Sequence, residues 1–237
     1  MNALILAAGR GTRLYPLTLR RPKALIEVGG ISLLERAILK LSNEGFQRII
    51  INVHHFGDQI IAYLQAHAWP NVEIIISDER EELLDTGGAI KHAGKFLEGA
   101  PFLVYNVDVV TDLKLMDLCR FHNNNNPLAT LAISQRPTAR QLYFDERMLL
   151  KGRAIMKPAD EALTHAVDVF RTFAFSGIHV VSEKIFDLMP SQDVFSIMDF
   201  YLELCKSYPI MGYDHTGIFW MDLGTIENLQ LFENLSA

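Results

Sequence analysis

Hydrophobic and polar positions follow two different periods over the first hundred residues. Residues 3–8 form an uninterrupted apolar run, which is typical of a strand buried on both faces of a parallel sheet. Residues 32–44 instead space their apolar side chains as a helix does, and Gly45 marks the end of that pattern. Further strands are predicted at residues 48–53, 72–77 and 102–105, and further helices at 57–66 and 88–97. This strand–helix alternation predicts an α/β fold with a doubly wound, mostly parallel sheet.

The second half of the chain is less regular. Strands are predicted at residues 128–134 and 173–181, with a polar segment rich in Arg, Lys and Asp between them, and helices at 195–205 and 227–235. The four asparagines at 123–126 precede Pro127 and are typical of a turn or a helix terminus. Because no internal repeat and no linker-like stretch interrupts the sequence, we expect one domain over residues 1–237. Its first half is 1–112, and its less regular half, 113–237, is expected to face a substrate.

Composition narrows the function classes. The 237 residues are 49% hydrophobic, enough for a sizeable core, and the net charge of −6 argues against broad nucleic-acid binding. No apolar run is long enough to span a membrane, and the N-terminus lacks the charged region of a signal peptide. The two cysteines, Cys119 and Cys205, have no metal-site spacing, so we expect free thiols and a cytoplasmic location.

A glycine turn follows the first predicted strand. Gly9 and Gly11 would let the backbone approach a bulky anion, and Arg13 and Lys23 add cationic side chains for the same anion. The spacing is not that of a Walker loop, and Leu14 occupies the third glycine position of a dinucleotide fingerprint. The turn therefore indicates a different kind of phosphate site; the alternative is an ordinary strand-to-loop turn.

Two aspartates follow apolar runs. Asp108 comes after the strand predicted at 102–105, and Asp222 ends the apolar run 218–221. A carboxylate at the end of a strand can hold Mg²⁺ through its oxygens while water and phosphate complete the octahedron. The alternative for each aspartate alone is a turn or a helix cap.

Two further blocks contain paired small residues. Thr86, Gly87 and Gly88 open a predicted helix, where small residues allow a flat base to lie against the backbone; the alternative is a helix start capped by Thr86. Phe175 and Gly177 flank a serine in a predicted strand, for which a close glycine contact in the core is the alternative.

Together these motifs resemble the signature of the sugar-1-phosphate nucleotidyltransferases. Their sequences are most similar to those of the N-acetylmuramate 1-phosphate uridylyltransferase type. The resemblance implies that Asp108 and Asp222 share Mg²⁺, that Arg13 holds the departing pyrophosphate and that Lys23 acts on the α-phosphate. It implies a nucleotide-binding half at 1–112 and a sugar-phosphate-facing half at 113–237. The nucleotide-binding residues it implies are Leu6, Ala7, Ala8, Gly9, Gly11, Thr12, Thr86, Gly87 and Gly88. The sugar-phosphate residues are Asn106, Gly177 and Arg140.

The sequence departs from the common family pattern at several points. Val107 stands before Asp108, where many relatives have glycine, and Phe175 stands where many have an asparagine that contacts the sugar. The C-terminal β-helix of many relatives has no counterpart in the sequence. In the segment 135–172 the resemblance assigns little. Candidates there for gripping the sugar phosphate are Arg136, Arg140, Lys151 and Lys157, with ordinary solvated charges as the alternative.

The resemblance implies transfer of a nucleoside monophosphate to a sugar 1-phosphate. UTP is favoured because the motifs at 85–88 and 175–177 both resemble those of the uridylyltransferases. The alternatives are a guanylyltransferase for a mannose- or heptose-type 1-phosphate, a cytidylyltransferase for phosphocholine, and a nucleotide-sensing regulatory protein without turnover. We expect no nucleic-acid or membrane partner, and the sequence leaves the oligomeric state open.

Overall fold

Residues 1–155 and 170–236 of the chain are described in a computed structural model. The strands are β1 (Asn2–Leu6), β2 (Glu27–Val28), β3 (Ile31–Ser32), β4 (Arg48–Val53), β5 (Glu73–Asp78), β6 (Phe102–Asn106), β7 (Val109–Thr111), β8 (Ala129–Ser134), β9 (Arg140–Phe144), β10 (Leu150–Ile155), β11 (Arg171–Val181), β12 (Ile210–Asp214) and β13 (Trp220–Asp222). The helices are α1 (Leu33–Asn43), α2 (Gly57–Ala66), α3 (Asp85–His92), α4 (Gly94–Leu97), α5 (Leu115–Asn125), α6 (Ile197–Leu204) and α7 (Ile226–Ser236).

A central sheet has the strand order β5, β4, β1, β6, β11, β8 and β12. Parallel ladders join β5 to β4, β4 to β1, β1 to β6 and β8 to β12. Only β11 runs antiparallel to its neighbours in this order, β6 and β8, among the strands that the structure describes. Strand β9 pairs with the start of β11, and β10 pairs with β9, so these two extend the sheet. The central sheet is mostly parallel, as predicted.

Helices cover both faces of the sheet, because successive side chains of a strand point to opposite sides. Ala3 and Ile5 of β1 lie in the core cluster that α1, α2, α5 and α7 complete. Leu4, between them, lies in the second cluster, which α3, α4 and α6 complete. The continuous apolar run of β1 therefore reflects burial on both faces, and the doubly wound architecture is confirmed.

Helix α1 shows how local sequence sets an element's bounds. The hydroxyl of Ser32 accepts a hydrogen bond of 3.1 Å from the backbone N–H of Glu35, which satisfies one of the free donors of the first turn. At the other end Gly45 has φ +89°, a conformation that a glycine adopts without strain. The helix predicted at 32–44 is confirmed to within one residue at each end.

Other predicted bounds need correction. The strand predicted at 3–8 ends at Leu6, because the chain turns into the glycine loop there. The helix predicted at 88–97 begins earlier and is divided at Ala93 into α3 and α4. The polar segment between the two later strands contains β9 and β10, which sequence periodicity did not indicate. Lys157 lies outside the described residues.

The order β4, β1, β6 creates the crevice in which the candidate site lies. Leu6 and Asn106 are partners in the β1–β6 ladder, so the glycine loop and Asp108 leave neighbouring strands at the same edge of the sheet. Ligands of open α/β sheets bind at such an edge.

Cys119 and Cys205 are free thiols, as expected. Among the described residues, none of the helices combines the length and the apolar character needed to cross a membrane.

Candidate active site

Two aspartates from distant parts of the chain meet at the crevice. Strand β13 pairs antiparallel with β7, and this ladder sets Asp222 opposite Val109, the residue after Asp108. An ideal methyl group on Gly224 would lie 2.6 Å from Oδ1 of Asp222 and 2.9 Å from Oδ2 of Asp108. Nη2 of Arg13 lies at 2.5 Å from the same point, so the two carboxylates and this guanidinium converge on the backbone at Gly224, where only a glycine leaves room for them.

Two cations from the first loop face these carboxylates. The Nζ of Lys23 donates to Oδ2 of Asp108 at 2.8 Å, and both side chains are largely buried. The guanidinium of Arg13 lies 3.9 Å from Oδ2 of Asp108 and 3.5 Å from Oδ2 of Asp222, and it is exposed to solvent. The structure thus brings together all four of the residues assigned to catalysis and metal binding.

The two aspartates differ in charge behaviour. Burial opposes ionisation of Asp108, but the ammonium of Lys23 and the guanidinium of Arg13 hold the pKa of this carboxyl below its ordinary value. Burial and the negative charge of Asp108 raise the pKa of Asp222. Oδ1 of Asp222 accepts a hydrogen bond of 2.6 Å from the backbone N–H of Gly224, which fixes its direction.

This donor set fits a divalent cation that prefers oxygen ligands. The two carboxylates offer oxygens around one space, and Lys23 and Arg13 already compensate their charge. No group of three or more His, Cys, Asp or Glu side chains with metal-site geometry occurs among the described residues. Phosphate and water oxygens would therefore have to complete a coordination shell, as is usual for Mg²⁺.

The glycine loop wraps around Lys23. Gly11 has φ +63°, and a Cβ there would lie 2.8 Å from Cβ of Lys23 and 2.9 Å from Cγ2 of Thr18. A Cβ on Gly9 would lie 3.8 Å from Nζ of Lys23. Thr12 begins a short 3₁₀ turn that carries Arg13. The loop therefore needs glycine at position 11 for its backbone conformation and for the close approach of Lys23.

A pair of buried polar residues that the sequence analysis missed supports this loop. Oδ1 of Asn52 accepts hydrogen bonds from the backbone N–H groups of Ala7 (2.6 Å) and Ala8 (3.3 Å). Its Nδ2 donates to Oε2 of Glu79 at 3.3 Å, and burial raises the pKa of Glu79 to about 7. The N–H groups of Ala7 and Ala8 are therefore engaged within the protein. A polar residue inside the apolar strand β4 was the available signal, because a buried amide needs partners.

Thr86, Gly87 and Gly88 lie where α3 packs against the chain around α6. The N–H groups of Gly87 and Gly88 donate to the carbonyl of Phe195 at 2.8 and 3.3 Å, and Oγ1 of Thr86 accepts from the N–H of Ile197. A Cβ on either glycine would overlap the segment 193–195. These two N–H groups are therefore engaged within the protein, and the alternative in which Thr86 caps α3 is wrong, because the residue before the helix is Leu84 and no side chain caps it; tight packing against the segment 193–195 requires small residues here.

Two of the expected sugar-side residues meet beside the aspartates. Gly177 in β11 has φ +74°, and a Cβ there would lie 2.8 Å from Nδ2 of Asn106. Arg140 begins β9, where it pairs with Ile155 of β10, and it is exposed. Lys151 forms an exposed ion pair of 3.1 Å with Asp145. Arg136 is half-buried and contacts the Trp220 ring.

Comparison with known proteins shows which proteins this sequence is similar to. An N-acetylmuramate alpha-1-phosphate uridylyltransferase of Neisseria meningitidis is 31% identical over 239 residues, 100% of this chain and 99% of that protein. A mannose-1-phosphate guanyltransferase of Aspergillus oryzae is 29% identical over 232 residues, 94% of this chain and 61% of that longer protein. An N-acetylmuramate alpha-1-phosphate uridylyltransferase of Caulobacter vibrioides is 44% identical over 110 residues, which are 46% of this chain and 46% of that protein. The aligned part therefore covers between 46% and 99% of the length of these three relatives.

Solved structures share the fold. The crystal structure of HddC from Yersinia pseudotuberculosis superposes with a TM-score of 0.79 at 24% identity, covering 100% of this chain and 99% of that one; it is also known in complex with GMP-PN. The model of the family described as "Nucleotidyl transferase" matches residues 2–235. The resemblance inferred from the motifs is confirmed, and the chain belongs to the nucleotidyl transferase family.

Proposed function

We propose that this enzyme transfers a nucleoside monophosphate, UMP by preference, from a nucleoside triphosphate to a sugar 1-phosphate, with release of pyrophosphate. The observation that carries the proposal is the convergence of Asp108 and Asp222 on the space beside Gly224, with Lys23 and Arg13 facing them. Two carboxylates and two cations at the end of a glycine loop are the groups that phosphoryl chemistry requires.

Mg²⁺ is the proposed cofactor, and Asp108 and Asp222 would hold it. When bound, the ion supplies positive charge that neutralises the phosphate oxygens of the nucleotide. Lys23, fixed by its buried contact with Asp108, acts on the α-phosphate, where negative charge redistributes in the transition state. The guanidinium of Arg13 is exposed to solvent, and we propose that it binds the departing pyrophosphate.

The proposed reaction needs no general base from the protein. An oxygen of the sugar 1-phosphate, already anionic near neutral pH, forms a bond to the α-phosphorus. The bond from that phosphorus to the oxygen bridging to the β-phosphate breaks, and pyrophosphate leaves with the electron pair. Catalysis then consists of positioning the two anions in line and stabilising charge, which Lys23, Arg13 and the two aspartates supply.

We further propose that the half at 1–112 binds the nucleotide and the half at 113–237 binds the sugar phosphate. Around the nucleotide we place Leu6, Ala7, Ala8, Gly9, Gly11, Thr12, Thr86, Gly87 and Gly88. The N–H groups of Ala7, Ala8, Gly87 and Gly88 are engaged within the protein, and Gly87 and Gly88 are buried. The contacts that we propose therefore use other atoms of the glycine loop and the partly exposed Thr86. Around the sugar phosphate we place Asn106, Gly177 and Arg140.

UTP and N-acetylmuramate 1-phosphate are the first substrates to test. The match to an N-acetylmuramate alpha-1-phosphate uridylyltransferase over the full chain supports this choice, as do the blocks at 85–88 and 175–177. A guanylyltransferase is the second candidate, supported by the similarity to a mannose-1-phosphate guanyltransferase and by the GMP-PN complex of HddC. A sensor without turnover is disfavoured, because both aspartates and Lys23 are retained and meet.

The test is a pyrophosphate-release screen of ATP, CTP, GTP, UTP and thymidine triphosphate against a panel of sugar 1-phosphates and phosphocholine. We expect release only with a divalent cation and a sugar 1-phosphate. We also expect kcat/KM for UTP to exceed that for GTP by more than about tenfold, or about 1.4 kcal/mol. Asp108→Asn serves as the inactive control. Release with phosphocholine alone, or release that persists in EDTA, would refute the proposal; preference for GTP would replace its base and keep its reaction.

A further inference from the structure

A stacked pair of side chains lies next to the aspartates on the side of the less regular half. The guanidinium carbon of Arg136 lies 3.9 Å from the centroid of the Trp220 ring. Trp220 and Asp222 are two residues apart in β13, so their side chains point to the same side of that strand. Burial lowers the pKa of Arg136, and the negative charge of Asp222 opposes this effect. Arg136 therefore lies within the electrostatic reach of the carboxylate assigned to the metal.

Two consecutive backbone carbonyls hold this pair in place. The guanidinium of Arg136 donates to the carbonyl of Phe175 at 2.6 Å, and Nε1 of Trp220 donates to the carbonyl of Ser176 at 2.8 Å. Both carbonyls lie where the ladder between β11 and β8 changes register, between Phe175 and His179. Such an irregularity frees backbone groups from strand pairing and re-aims side chains. The arginine is thus oriented before any ligand binds.

The fixed guanidinium retains donors for an anion. Nε of Arg136 is buried and has no hydrogen-bond partner among the residues that the structure describes. Because Nε is also closed to solvent, an anion would bind the terminal N–H groups of the guanidinium, which make one hydrogen bond, to the carbonyl of Phe175, among those residues. A guanidinium that stacks on an aromatic ring keeps its N–H groups in one plane, the arrangement that binds a phosphate through two oxygens.

The cations of the site fall into two groups. Lys23 and Arg13 belong to the glycine loop, which we assign to the nucleoside triphosphate, whereas Arg136 follows β8 in the other half of the chain. We propose that Arg136, fixed on Trp220, binds the phosphate of the sugar 1-phosphate and so brings the attacking oxygen beside the two aspartates. This inference rests on the proposed function and adds the residue that recognises the acceptor.

Kinetics of Arg136→Lys and Arg136→Gln test this role. Each variant loses the planar fork, so we expect the KM for the sugar 1-phosphate to rise by about tenfold or more, while the KM for the nucleoside triphosphate stays within about twofold. Arg120→Gln, which removes an exposed arginine paired with Asp117 on α5, is the matched control. An equal rise in both KM values would indicate a structural role and overturn the proposal, as would unchanged kinetics.

A binding measurement separates this inference from the reaction itself. The chain has two tryptophans, so Trp69→Phe leaves Trp220 as the single fluorescence reporter. We expect N-acetylmuramate 1-phosphate and N-acetylglucosamine 1-phosphate each to change this fluorescence, and Arg136→Gln to weaken both by about tenfold or more. Weakening of N-acetylmuramate 1-phosphate alone would mean that Arg136 recognises its carboxylate and would refute the phosphate assignment.

The outcomes distinguish the two levels of the proposal. Fluorescence binding that depends on Arg136, without turnover of any sugar 1-phosphate in the screen, would refute the proposed function and keep the binding role. Turnover by an Arg136→Gln variant with an unchanged KM would refute the binding role and keep the function. A Trp69→Phe protein whose fluorescence does not respond to either sugar 1-phosphate would refute the binding role as well.

Discussion

Replacing Lys23 with methionine is expected to destabilise the folded protein as well as impair catalysis. Its Nζ lies 2.8 Å from Oδ2 of Asp108, a carboxylate whose residue is 5% exposed. At an effective dielectric constant of about 20, an attraction at this distance is about 6 kcal/mol, which offsets the cost of burying the two charges. Removal of one partner from a buried pair costs about 3–5 kcal/mol.

The structure puts the expected cost near the lower end of that range. Arg13 remains 3.9 Å from the same oxygen and retains part of the attraction. We therefore expect Lys23→Met to lose about 3 kcal/mol of unfolding free energy near pH 7, or about 6–12 °C in Tm for a chain of this size. Lys151→Met removes an exposed pair with Asp145 and is the matched control, with an expected loss below about 1 kcal/mol.

The loss should depend on pH and on divalent cations. In the wild type the pKa of Asp108 is lowered, so its contribution to stability is present above the ordinary value of 3.8 and is lost below it. In the Lys23→Met variant, burial of Asp108 without its ammonium partner raises the pKa of this carboxyl in the folded state. The free energy of unfolding of the variant therefore approaches that of the wild type as pH falls toward about 4. Millimolar Mg²⁺ should also narrow the gap, because the ion replaces the missing charge.

Thermal unfolding by circular dichroism at pH 7 and pH 5, with Mg²⁺ and with EDTA, measures these effects. We expect the Tm of Lys23→Met to lie far below that of the wild type at pH 7 in EDTA, and we expect a smaller difference in Tm under the other conditions. A Tm for Lys23→Met equal to that of the Lys151→Met control would refute this expectation, since the buried pair would then contribute no more than a surface pair.

Three further predictions follow from other contacts. Asp222→Asn should lower kcat by about 10²-fold at saturating substrates, the effect of losing one oriented charge; full activity in Mg²⁺ would contradict the metal assignment. Burial raises the pKa of Glu79 from 4.5 to about 7, so the unfolding free energy should fall as pH rises across that window, and urea titrations should show no such slope for Glu79→Gln. Gly88→Ala places a methyl group on the carbonyl of Asp193 and should lower Tm by several degrees, whereas Gly152→Ala should not, because the nearest atom to its new methyl group among the described residues is Cδ2 of Tyr143, at 3.9 Å.

The parts of the fold that were predictable from sequence are those set by local patterns. Strand β4 and helices α1 and α2 follow one another with clear periods, and each period reports which faces of the element are buried. Strand β7 escaped prediction because it has three residues and forms through pairing with β13, more than 100 positions away. Strands β9 and β10 carry polar residues on an exposed edge, so their composition resembles that of a loop.

The candidate site divides in the same way. Asp108, Asp222 and Lys23 could be assigned from motifs, because few residue types can bind phosphate or a metal ion. The structure brings these three residues together. The packing of Gly87 and Gly88 against the segment around Phe195 was not predicted, because that segment is distant in sequence. The Asn52–Glu79 pair likewise depends on a contact between strand β4 and the residue that follows β5, which no local pattern encodes.

The central claim is that an oxygen of the sugar 1-phosphate attacks the α-phosphorus of the nucleotide, with Asp108 and Asp222 required. The most direct measurement uses N-acetylmuramate 1-phosphate labelled with ¹⁸O in all four phosphate oxygens, incubated with UTP and Mg²⁺, and follows the label by mass spectrometry. We expect all four labelled oxygens to appear in the nucleotide sugar and pyrophosphate to be unlabelled, and we expect Asp108→Asn to form neither product at a comparable rate. Label in inorganic phosphate or in pyrophosphate would contradict this claim.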